Sequence, residues 1–381
     1  MGRPKGNLRS SDKTKPAPQS SSKPKSSSSK PSIKQANSAR LNDGSETEHP
    51  VRVSIAQRKV YQQKVLNVFQ GSFNSVLSSD NFTTILQEVK TALFNRDFDR
   101  AFGNEEYNEA YAARWSPTRA LCYASALDRI RPHLDELSQT KKAEADGGVE
   151  TEEKTEANLN VVSIGGAAAE IVAFGCFLGQ QDSPLSSSIA LLDVAPWANV
   201  VEKLRAGLAT RPPISKYASA AIQAANTPIV DLDRLAGVTF KQTDVLSLKK
   251  DEVSSLVGST QPALITLLFT LNELFTVGGM GKTTSFLLNL TQTVPAGSLL
   301  LVIDSPGSYS EATIGKESKR YPMQWLLDKI LLETTGAWEK VESEDSVWFR
   351  LSQDLEYPIP LEDMRYQMHL YRASGKEDDT G

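Results

Sequence analysis

Residues 160–174 read NVVSIGGAAAEIVAF, and residues 188–193 read SIALLD. One apolar run ends in Gly165 and Gly166 and passes directly into a helix-like stretch; a second ends in a single acid, Asp193. Strand, glycine turn, helix, strand and acid form the pattern of a nucleotide-type cofactor site in an α/β domain. The glycines admit a ligand close to the backbone, and the acid accepts hydrogen bonds from a ribose diol. A third run, 239–243, stops at Asp244, placed to meet the exocyclic amine of an adenine. Ala167, just after the glycines, and Thr270 and Leu271, at the end of the fourth run, fall on the same edge. That edge is where open parallel sheets bind ligands.

The turn after the fourth run, TLNELF at 270–275, has the residue types of a methyl-acceptor site. The amide of Asn272 and the carboxylate of Glu273 could orient and deprotonate a ring N–H, and Phe275 could stack on a base. Attack by a cysteine thiolate is excluded there, because Cys122 and Cys176 lie elsewhere. The Asn/Asp-Pro-Pro-aromatic turn suited to exocyclic amines is also missing.

Two cofactor classes compete with S-adenosylmethionine (AdoMet). The dinucleotide fingerprint G-x-G-x-x-G is absent, since GGAAAE at 165–170 has no third glycine. AdoMet has no pyrophosphate, so its site can do without the full fingerprint. The run GGMGKTT at 278–284, with LLLVID at 299–304, resembles a phosphate-binding loop and a magnesium-holding strand. Thr276 stands where such a loop needs its first glycine. The expectation is a glycine-rich turn before a helix.

These residues need a sheet to position them. Strands are expected at 160–164, 189–192, 239–243, 263–270 and 298–303, with an alternating late pair at 347–351 and 366–371. Helices are expected over 170–178, from about Trp197, over 283–292 and over 323–334. Upstream, apolar spacing predicts a helical module over 51–137. It includes a helix that starts with Ser116 as cap and Pro117 as first residue. Arg114 and Arg119 flank that start and are expected to contact RNA phosphate through the free N–H groups of a helix N-terminus.

Residues 138–157 read as an acidic linker, 158–374 as the cofactor-binding domain and 375–381 as a disordered end. Residues 1–50 are a Lys/Ser/Pro tail with ten basic and four acidic residues. Such a tail cannot bury enough apolar surface to order itself, and its charge suits an anionic partner such as nucleic acid. With a whole-chain net charge of −4, the body is acidic. Two cysteines suggest a reducing compartment without a disulfide framework, and three scattered histidines provide no metal cluster. The N-terminus has no apolar core of a signal peptide, and no run of 18 apolar residues predicts a membrane span.

RWSPTRAL at 114–121, IGGAAAE at 164–170, TLNELF at 270–275, YPMQWLL at 321–327 and MRYQMHLYR at 364–372, in this order, resemble the fungal large-subunit (25S) rRNA uridine-N3 methyltransferases. The resemblance spans roughly residues 55–373. It implies a class I, Rossmann-like AdoMet methyltransferase fold with a seven-stranded sheet, a nuclear and nucleolar address, and methylation of one uridine in large-subunit rRNA or a pre-ribosomal particle by a monomer. It assigns no catalytic residue; Asn272 and Glu273 rest on the residue argument alone. A cofactor-less RNA-binding assembly factor and a P-loop nucleotide-binding protein are the alternatives.

Overall fold

Among the described residues, the chain builds one mixed sheet with helices on both faces. The structure, a computed structural model, describes residues 54–139, 158–180, 186–258, 260–307, 309–314 and 317–374. The expected basic tail, the linker from 140 onward and the C-terminal end lie outside the described residues.

Six helices come first: α1 (Ile55–Ser72), α2 (Asn74–Leu77), α3 (Phe82–Phe94), α4 (Phe98–Phe102), α5 (Glu105–Arg129) and α6 (Arg131–Gln139). The segment expected to open the linker at 138 is therefore still helical, because α6 carries on to Gln139. Then follow β1 (Asn158–Ile164), α7 (Ala168–Gly179), β2 (Ser186–Asp193), α8 (Ala198–Ala209), α9 (Ala220–Ala225), β3 (Val238–Gln242), α10 (Lys250–Val257) and β4 (Leu264–Leu268). The chain ends with α11 (Leu271–Glu273), α12 (Gly279–Thr293), β5 (Leu299–Asp304), a hairpin of β6 (Tyr309–Ile314) and β7 (Glu317–Pro322), α13 (Met323–Asp328), β8 (Trp338–Phe349) and β9 (Met364–Ala373).

The strand order is β3-β2-β1-β4-β5-β9-β8. The first five strands run parallel; β9 is antiparallel to β5 and β8 antiparallel to β9. This is the seven-stranded, Rossmann-like class I arrangement expected from the sequence. The order reverses between β1 and β4, so the switch-point crevice opens above Ile164 and Leu268.

Side-chain alternation divides the core in two. Val161, Leu264, Leu268, Leu301 and Leu370 face one cluster, while Val162, Ile265, Leu267, Leu300 and Tyr371 face the other. The first cluster also takes in Val65, Phe69, Ile85, Leu121 and Leu127 of the early helices. The early helices thus share their core with the sheet.

The helix expected to begin at Ser116 and Pro117 does not begin there. α5 runs without a break from Glu105 to Arg129, with Pro117 inside it. It starts at Asn104, whose side chain accepts from the Tyr107 amide at 2.8 Å, and Glu105 and Glu106 occupy the first turn. An interior proline leaves the carbonyl four residues back without its donor. Here that carbonyl belongs to Ala113, and the Tyr357 hydroxyl donates to it at 2.7 Å. A distant residue replaces the missing hydrogen bond, and the helix continues.

Candidate functional site

The glycine turn is pinned to the neighbouring strand: the Gly165 and Gly166 amides both donate to the Leu192 carbonyl, at 2.8 and 3.1 Å. Gly165 has φ +68°, a conformation that favours glycine, and a Cβ there would lie 2.2 Å from Thr270 Oγ1. A Cβ on Gly166 would lie 2.3 Å from Ser163 Oγ, which itself accepts from Thr266 Oγ1 at 2.8 Å. The two glycines let β1, β4 and α7 close on one another at the carboxyl edge. β4 ends at Leu268, and the next residue, Phe269, has φ +60°. A bulky residue at positive φ is strained, and such strain clusters at ligand sites.

A cavity of about 340 Å³ opens at this edge, within the usual size range of small-molecule sites. Gly165, Ala167, Asp193, Asp244, Thr270 and Glu273 line it, as the sequence pattern places them. Gly166, Leu271 and Asn272 do not; Leu271 is fully buried in the core. Asn272 stands just behind the wall, its amide 3.3 Å from Asp304 Oδ2 and its side-chain oxygen enclosed without a hydrogen-bond partner. Phe275 is 2% exposed and packed in the core, so the expected stacking role at that position is overturned: the turn rolls the ring inward against Leu271 and Phe286.

The two arginines part company. Arg114 forms an ion pair with Glu362 at 2.7 Å. Arg119 lines the cavity, with its guanidinium over the rings of Tyr111 and Phe269, 5.6 and 5.1 Å from their centroids, and it donates to the Tyr111 hydroxyl. The helix N-terminus that was to present both to phosphate does not exist, because α5 is continuous there. Burial works against the Arg119 charge, but Tyr111, Tyr123, Glu170 and Glu273 around it outweigh that and hold its pKa above the ordinary arginine value.

The other residues missed by sequence reasoning are Tyr111, Ser116, Glu170, Trp197 and Phe269. Tyr111 and Ser116 come from α5, a helix that seemed remote from the strands. Glu170 reaches back to cap α7, accepting from the Ala167 amide at 2.8 Å, and it is buried. Its position at the end of the IGGAAAE string was the available signal.

Three carboxyls in the cavity are hard to ionise. Burial pushes Glu170 up to about 7, against hydrogen bonds from the Ala167 and Glu170 amides. Burial pushes Asp193 up to about 6, against donors at Ala195 and Trp197. Glu273 is an exposed residue that lines the cavity; desolvation by the protein around its carboxyl pushes it up to about 7, against Arg119 and helped by Asp193 and Asp304. Asp244 is more open and caps the following turn through the Leu246 amide at 2.9 Å. One guanidinium among several carboxyls suits a ligand with one carboxylate and net positive charge elsewhere. AdoMet has that distribution: a carboxylate, an ammonium and a sulfonium.

The raised values set a pH dependence. Their folded pKa values exceed the unfolded ones, near 4, so the folded protein without cofactor holds extra protons between about pH 4 and 7. Stability from these groups is present toward the acid end and lost as pH rises through about 6–7. A cationic ligand prefers the ionised carboxylates, so AdoMet affinity should rise roughly tenfold from pH 5.5 to 8, with proton release on binding. Calorimetry in buffers of different ionisation enthalpy measures both. Affinity that is flat or falls with pH would show that the carboxyls do not face the cation.

Asp193→Ala should weaken AdoMet binding by the loss of one or two charge-assisted hydrogen bonds, roughly 1.5–3 kcal/mol each. An unchanged dissociation constant in folded protein would remove the ribose assignment.

The loop resembling a phosphate site forms the start of α12. A Cβ on Gly278 would meet Leu246 Cδ1 at 2.0 Å, and Thr283 Oγ1 donates to the Leu274 carbonyl at 2.7 Å, so these residues pack the turn. Asp304, the acid in the place of a magnesium holder, is buried and accepts from the Asn272 and Ser305 amides.

Residues 69–372 match a family described as SAM-dependent methyltransferase. A 25S rRNA (uridine(2843)-N(3))-methyltransferase of Saccharomyces cerevisiae is 33% identical over 341 residues, which cover 81% of this chain and 85% of the relative. Among solved structures, the N-methyltransferase NodS from Bradyrhizobium japonicum WM9 with S-adenosyl-L-homocysteine aligns at 14% identity and TM-score 0.32, over 70% of this chain and 96% of its own. An O-methyltransferase family protein from Burkholderia thailandensis aligns at 12% identity and TM-score 0.33, over 79% and 74%. Scores this low carry no argument about the site.

Proposed function

The chain belongs to the SAM-dependent methyltransferase family, and from that premise we propose that it methylates N3 of a uridine in large-subunit rRNA during ribosome biogenesis. The observation that carries this reading is the cavity at the switch point, where Gly165, Asp193 and Asp244 from successive strand ends meet Arg119 and Glu273. The identity of the yeast relative, over most of both chains, supplies the acceptor.

When bound, AdoMet supplies an electrophilic methyl group on a sulfonium. The rest falls to the chain. Asp193 and Asp244 would hold the ribose and adenine, and Arg119 the carboxylate. Glu170 would complement the positive charge of the methionine portion.

Uridine N3 is an imide nitrogen and a poor nucleophile while it keeps its proton. Glu273, with a pKa near the working pH, would take that proton, as general-base catalysis favours. Asn272, expected from the sequence to orient the base, does not line the cavity and would support the Glu273 turn instead of touching the base. Glu273 lines the cavity, so a base entering there would displace water from its carboxylate, and positioning would provide much of the acceleration. The target must be unpaired or turned out of its helix to reach this depth. The basic tail would add non-specific RNA affinity and direct the protein to the nucleus and nucleolus.

Mass spectrometry of nucleosides from large-subunit rRNA, in cells with and without the protein, tests the reading. One N3-methyluridine should disappear with the protein and return when it is restored. An unchanged nucleoside profile would overturn it.

A further inference from the structure

Phe275 is turned into the core, and a different pair of aromatic rings lies at the end of the hairpin that follows β5. β6 begins at Tyr309, five residues after Asp304, and Tyr309 pairs with Pro322, the last residue of β7. Five residues span at most about 18 Å, so the hairpin leaves the carboxyl edge and brings the chain back to it. Tyr321 and Trp325 sit at this root. Between them Met323 is buried in the same cluster as Leu271 and Phe275, the residues bracketing Asn272 and Glu273, and Tyr321 packs against that cluster.

The rings of Tyr321 and Trp325 are stacked, with centroids 5.0 Å apart and planes 16° from parallel. Trp325 is nevertheless 46% exposed. A large ring backed by another aromatic and left open to solvent offers a flat π-face on which a nucleobase can stack. Trp348, also at the carboxyl edge and 53% exposed, differs in having the guanidinium groups of Arg350 and Arg365 against its ring, at 4.8 and 5.8 Å from its centroid. We propose that Trp325, backed by Tyr321, is the platform on which a base next to the target uridine stacks. The stack would hold the strand while the target base is turned into the cavity. This inference rests on the RNA-methylation reading above.

The test uses the full chain and large-subunit rRNA from cells lacking the protein. Trp325→Ala should raise KM for RNA about tenfold, the size of one base–aromatic stack, with AdoMet affinity unchanged and the rate at saturating RNA within about threefold. Trp325→Phe should restore most of the loss. A Trp325→Ala protein with wild-type KM would overturn the platform.

Fluorescence provides a second arm on proteins that keep the ring. RNA should quench the wild-type tryptophan emission more than that of Trp325→Phe. Equal quenching, or none in either, would overturn the platform as well. If the wild type binds this RNA but transfers no methyl group to uridine, the function reading falls, and the quenching comparison still decides the stack.

Discussion

Replacing Glu273 with glutamine is expected to slow single-turnover methyl transfer by on the order of 10²-fold while leaving AdoMet affinity within a few-fold. Glutamine keeps the size and the hydrogen-bonding reach of the side chain and loses only its basicity. The carboxyl lies in the cavity wall, and burial has moved it to about 7. In the wild type the rate should therefore climb as pH rises through about 7 and the carboxylate forms; in Glu273→Gln that inflection should vanish. Rapid-quench assays across pH measure both. A variant with normal rate and the same pH profile would end the assignment, and the proton would have to leave by another route.

Arg119→Met should reduce AdoMet affinity by on the order of 10²-fold or more. Truncating one partner of a buried charge pair costs roughly 2–5 kcal/mol, and each 1.4 kcal/mol is tenfold. The guanidinium lines the cavity, as does Lys282, but Arg119 is the one that faces Glu170 and Glu273 and lies over the rings of Tyr111 and Phe269. Methionine fills much of the same space without charge. Arg119→Lys should fall between, since an ammonium keeps the charge without the flat contact with both rings. Calorimetry with AdoMet decides the matter. Normal AdoMet affinity combined with weakened RNA binding would return Arg119 to the role expected from the sequence.

The sequence alone determined the parallel strand set, the glycine turn at Gly165 and Gly166, and the acids at Asp193 and Asp244. These features are local. An apolar run with a polar stop marks a strand end, and parallel strands joined by helices must bring such ends to one edge. The late pair was legible for the same reason, although β8 begins at Trp338, well before its alternation becomes clear.

Tertiary structure decided what depends on distant partners. Ser116 and Pro117 have the local form of a helix start. Only the Tyr357 hydroxyl, 244 residues beyond Ala113, makes Pro117 tolerable within a continuous α5. That continuity carries Arg119 and Tyr111 into the cavity. Phe275 and Glu273 lie two residues apart in one turn, yet one enters the core and the other the site. Near pH 7, the charge state of Glu170 and Glu273 follows from the water that packing removes around them. Desolvation is a property of the assembled surroundings, and no residue's type or spacing contains it.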